Sequence, residues 1–144
     1  MRLIAAVCLL SLLATGCVTP TKEAATPPDA ALENQAQAWL AEGNYTAAAE
    51  EYIRLAEKTK KYPETFLLKA ASAWLAGNNL DPARSTLARV KEQNLTNIQS
   101  AERRILLARI ALSENIADNA MRMLDFTLPP DAPRTLAADY YRSR

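Results

Sequence analysis

At 144 residues the chain has room for one domain, and 49% hydrophobic with 23% charged residues is an ordinary globular composition. Lys and Arg number 17 against 16 Asp and Glu, so no global field draws the chain to nucleic acid or to an anionic membrane face. Histidine is absent, which removes the commonest general base and the commonest metal ligand together.

The first stretch, Met1–Gly16, reads as a leader and not as part of the fold. Arg2 and the free amine precede an apolar run of twelve residues, Leu3–Ala14, which suits a signal-peptide core and is too short to span a bilayer as a helix. It ends in Ala14-Thr15-Gly16-Cys17, which resembles a bacterial lipobox. That resemblance implies diacylation of Cys17 and cleavage ahead of it. Cys8 would leave with the leader, so the mature chain would keep only a lipid-modified Cys17, its sulfur blocked, and could form no internal disulfide. Two ester-linked chains, usually with a third on the amine, anchor stably where one would not. Val18 follows where an aspartate would retain an enteric-type lipoprotein in the inner membrane, so the resemblance implies the periplasmic face of the bacterial outer membrane. Val18–Pro28, VTPTKEAATPP, is a Thr/Ala/Pro-rich tether, and the folded region is expected from Asp29 to Arg144.

Within that region the chain writes one stretch twice. AWLAEGNYTAAAEEYIRL at Ala38–Leu55 returns 35 residues later as AWLAGNNLDPARSTLARV at Ala73–Val90. Leu32, Ala36 and Trp39 are spaced as one face of a helix, and Glu42-Gly43-Asn44 breaks it. Tyr45, Ala48, Tyr52 and Leu55 then resume the spacing on a second helix. The second copy runs Leu67, Ala71, Trp74, the turn Gly77-Asn78-Asn79, and a new helix with Asp81 as N-cap and Pro82 at its first position. Ala36, Ala48, Ala71 and Ala83 fall where the helices must approach closely. A weaker third copy occupies Ser100–Ser113, with Glu114-Asn115 as its turn and Ala117, Ala120 and Leu124 beyond, at a spacing of 37; the polar stretch Lys91–Gln99 takes up the extra residues.

The fold predicted is all-α, a tandem of about three helix-turn-helix pairs with one unpaired helix at the end. The pattern resembles the tetratricopeptide repeat, on Gly43-Asn44-Tyr45, Ala48 and Tyr52 above all. Leu128-Pro129-Pro130-Asp131-Ala132-Pro133 closes the third pair, and Asp131 is the predicted N-cap of the last helix. There Leu136, Ala137, Tyr140 and Tyr141 make an apolar face, with Tyr140 expected in the place of Trp39 and Trp74. A final unit without a partner helix makes a fragment of a longer repeat region the expectation.

Residues arranged for catalysis are hard to find. Glu50 and Glu51 are adjacent on a helix, point about 100° apart and cannot share a substrate. The glycines, Gly16, Gly43 and Gly77, make no phosphate-cradling loop, and the serines have no histidine to activate them. The basic run Lys58, Lys60, Lys61 reads as a solvated helix end, Met121 and Met123 as gap fillers, and the triplets Asn44-Tyr45-Thr46 and Asn94-Leu95-Thr96 as bystanders. Neither enzyme activity, cofactor nor metal is expected. In stacks of helix pairs the first helices line a concave face that holds another protein. The residues expected there are Glu33, Gln37, Thr65, Ser72, Glu102 and Arg109.

YTAAAEEYIRLAE at Tyr45–Glu57, AERRILLARIAL at Ala101–Leu112, FTLPPDAP at Phe126–Pro133 and the Tyr140-Tyr141 helix extend the picture. With the lipobox, they make the chain similar to the N-terminal part of the penicillin-binding-protein activator lipoproteins of the outer membrane (the LppC/LpoA type). That resemblance implies a partner, a bifunctional peptidoglycan synthase of the inner membrane, and regulation of cell-wall synthesis. It also implies a further C-terminal domain shaped like a periplasmic ligand-binding protein. A second reading is a helical-repeat lipoprotein that assists assembly of outer-membrane proteins or pili.

Overall fold

The computed structural model describes residues 28–144; the leader, Cys17 and the tether up to residue 27 lie outside the described residues. Seven α-helices and no strand are found there: α1 (Pro28–Ala41), α2 (Tyr45–Lys58), α3 (Pro63–Ala76), α4 (Leu80–Ala88), α5 (Asn97–Ser113), α6 (Ala117–Met123) and α7 (Arg134–Ser143). They pack as three consecutive antiparallel pairs, α1/α2, α3/α4 and α5/α6, with α7 laid on α5. Pro28, expected in the tether, opens α1, where its missing N–H costs nothing.

The repeat is exact enough to be read in hydrogen bonds. Each first helix ends with a residue in the left-handed region, Gly43 (φ 80°), Asn78 (φ 57°) and Asn115 (φ 61°). The next N–H then reaches back five residues to a helix carbonyl: Asn44 to Trp39, Asn79 to Trp74 and Ile116 to Ala111, each at 2.8 Å. This is the Schellman closure, which satisfies carbonyls the helix leaves open. Gly43 is needed for its φ, since a Cβ there would meet nothing. Gly77 is needed for space instead: a Cβ would come within 3.0 Å of the Tyr45 Cβ and 2.9 Å of the Asn79 Nδ2, where the end of α3 meets the start of α2.

Small residues recur at the closest approaches. Ala36, Ala71 and Ala108 are fully buried at equivalent places on the first helices, as are Ala48, Ala83 and Ala120 on the second. Tyr52, Leu87 and Leu124 fill beside them.

Four local expectations are corrected. Asp81 is not the N-cap of α4; Asn79 is, and Asp81 and Pro82 sit in the first turn, where a missing N–H is still free of charge to the helix. Asp131 does not cap α7, which starts at Arg134 behind Pro133. The third first helix starts at Asn97, not Ser100, because Thr96 and Gln99 form a capping box: the Gln99 N–H donates to the Thr96 Oγ1 at 3.2 Å, and the Thr96 N–H to the Gln99 Oε1 at 3.0 Å. Tyr140 does not hold the tryptophan register. Trp39 and Trp74 are the twelfth residues of α1 and α3, whereas Tyr140 is the seventh of α7. It is buried against the end of α6, its hydroxyl donating to the carbonyls of Phe126 at 2.9 Å and Leu124 at 3.3 Å. The two tryptophans also differ: Trp74 is buried in the central cluster, while Trp39 is only half-buried at its edge.

Candidate binding groove

The first helices stand side by side, and polar side chains stitch them. Lys69 on α3 pairs with Glu33 on α1, and its ammonium lies over the rings of Phe66 at 5.6 Å and Tyr52 at 5.8 Å. The Gln99 side-chain amide on α5 donates to the Thr65 hydroxyl on α3 at 2.9 Å. Between these stitches two adjoining cavities open on the same face. One, of about 210 Å³, lies among Gln37, Leu40, Lys69 and Glu102. The other, of about 160 Å³, lies among Ile98, Glu102, Arg109, Leu136 and Asp139. Ser72 and Glu102 line both.

Of the six residues expected on the concave face, Gln37, Ser72, Glu102 and Arg109 converge on this groove. Glu33 reaches its rim through Lys69, and Thr65 lies outside both cavities, occupied by Gln99. Two members were missed. Lys69 lies four residues after Thr65 and three before Ser72, so helical spacing alone could have found it. Asp139 carried no such signal, because only the docking of α7 on α5 brings it to the groove.

The electrostatics of the groove centre on Glu102. Burial pushes its carboxyl above the ordinary carboxylate range; Lys69 acts against that rise and Asp139 adds to it. Burial also pushes the Tyr52 hydroxyl up, with the Glu33 carboxylate adding to the effect. The groove thus offers a half-buried carboxylate, cations at both ends, hydroxyl and amide groups, and an aliphatic floor. Such a set suits recognition of a peptide backbone and its side chains. Elsewhere, Glu50 is exposed and Glu51 buried, paired with Arg54 at 2.9 Å.

No protein-family model, no curated protein and no solved structure matches the chain.

Proposed function

We propose that the chain is a lipid-anchored scaffold on the periplasmic face of the bacterial outer membrane, holding a partner protein in the groove of its first helices. The partner in this reading is a bifunctional peptidoglycan synthase, and the chain regulates it without hydrolysing anything itself. The observation that carries the binding role is the convergence of Gln37, Ser72, Glu102 and Arg109, from three successive helix pairs, on two adjoining cavities. The lipobox ending in Cys17 supports the anchor, and the similarity to the activator lipoproteins supports the partner.

Two measurements test it. Cys17→Ser should abolish labelled palmitate incorporation and leave an uncleaved precursor; normal processing would remove the anchor from the proposal. A photo-crosslinker at Gln37 or Arg109 should capture a peptidoglycan synthase in the native envelope, and lose it on Ser72→Trp, which fills both cavities. Capture of only barrel-assembly or pilus components would replace the regulator with an assembly factor.

A further inference from the structure

The helix pairs have a second kind of concavity, at the end away from the Gly/Asn turns. There the second pair holds a cleft of about 600 Å³ and the third one of about 550 Å³. The two are built from equivalent positions 37 residues apart: Leu67 and Arg104 on the floor, Arg89 and Phe126, Lys91 and Leu128, Asn94 and Asp131 on the walls.

Their chemistry differs. In the third pair the floor cation, Arg104, is already engaged by the carbonyls of Met123, Asp125 and Arg122 at 2.9, 3.0 and 3.3 Å, with the Phe126 ring 4.4 Å away. At the second pair's cleft the floor is aliphatic, Leu67 of α3 with Ala56 from the end of α2, and cations stand around it. Lys60 and Lys91 line that cleft and have no ion pair among the described residues; Arg89 pairs only with the exposed Glu57, at 3.1 Å. Lys58 and Lys61, exposed sequence neighbours of Lys60, also have no ion pair among the described residues. The buried carboxylate that lines the cleft, Glu64, accepts the Asn94 amide at 2.6 Å.

The rim adds an aromatic ring that the fold does not ask for. Tyr62 is left-handed (φ 63°) and 66% exposed, with the Lys61 ammonium 5.1 Å from its ring. Left-handed backbone is costly for a bulky residue. The other left-handed positions among the described residues are Gly43, Asn78 and Asn115, the residue types that adopt it easily. Only at this rim is an exposed aromatic kept there.

We propose that this cleft binds an acidic, extended segment of another protein chain. Its carboxylates would lie among Lys60, Arg89 and Lys91, an apolar side chain of the segment would rest on Leu67, and Tyr62 would cover it. A flat lipid surface could meet the exposed Lys60, Arg89 and Lys91 but not Leu67, buried on the floor between them, whereas a single chain can lower a side chain onto it. The cleft is separate from the first-helix groove and does not depend on the function proposed above.

The test uses the full-length chain in neutral detergent and a fluorescein-labelled peptide of alternating Glu and Leu, followed by anisotropy. Saturable binding that weakens with salt is expected. The Gln/Leu peptide, inorganic phosphate and phosphatidylglycerol vesicles are the competitors. Lys60→Glu with Lys91→Glu, both exposed, should weaken binding at least about tenfold, and Asp131→Lys in the other cleft should not strengthen it. Tyr62→Gly should weaken binding while raising the Tm by roughly 3 °C, since it relieves the left-handed strain; a purely structural tyrosine would not show that pairing. Absence of binding, equal binding of the Gln/Leu peptide, competition by vesicles alone, or full binding by the doubly reversed variant would overturn the proposal.

Discussion

The second and third helix pairs solve the same problem by different means. In the second, Trp74 and Leu67 from α3 and Leu87 from α4 hold a nine-residue second helix by side-chain packing. In the third, the equivalents of Trp74 and Leu67 are Ala111 and Arg104, and the second helix has only seven residues. Polar closure replaces apolar volume there: Arg104 takes three carbonyls at the end of α6, and Tyr140 reaches in from α7 to take two more. A short helix leaves most of its end groups without intrahelical partners, so donors from its neighbours matter more than area. One repeat template therefore tolerates exchange of packing for hydrogen bonds when a neighbouring helix supplies the donor.

The largest expected effect lies on the packed side. Trp74→Ala should cost about 3–5 kcal/mol in urea denaturation, and the half-buried Trp39 distinctly less. A loss below about 1 kcal/mol at Trp74 would mean the second pair is not held by packing. On the polar side, Arg104→Leu restores the residue of the second pair and removes the carbonyl donors. It should still destabilise, by about 1.5–3 kcal/mol, and speed hydrogen exchange in α6 while leaving α4 protected. If Leu is tolerated, the exchange of packing for hydrogen bonds is not real. Tyr140→Phe keeps the ring and its edge contact with Phe126 and removes only the hydroxyl, so about 1 kcal/mol is expected.

The smallest effect is the one whose sign depends on pH. The folded chain raises the Glu102 carboxyl above its unfolded value, so folding favours the protonated form. That contribution is complete below the unfolded value and is lost as pH rises through the folded one. Glu102→Gln should accordingly raise the Tm at neutral pH, and the gain should vanish as the parent's carboxyl protonates. An advantage constant with pH would assign it to packing and not to charge.

Much of this fold was legible because it is local and repeated. The Ala, Trp and Gly/Asn positions state helix, close approach and turn within a few residues of one another, so the first two pairs and the third turn could be read directly. The errors fell where two chemically similar caps compete within three residues, Asn79 against Asp81, and where Thr96 draws a helix start forward through a side-chain bond to Gln99. The groove was half legible: spacing assigns Gln37, Ser72, Glu102 and Arg109 to one face of their helices, but not what they meet.

By itself the sequence determined where the helices lie to within about a turn at their starts, where each pair turns back and which alanines lie at the crossings, since periodicity and left-handed turn residues act over one or two turns. Only the tertiary structure decided how the pairs stack, because that depends on surfaces far apart in the chain. It put Asp139 of α7 beside Glu102, set Tyr140 against the end of α6, and left Lys60 and Lys91 facing one cleft while Arg104 in the other is engaged by carbonyls at the end of α6.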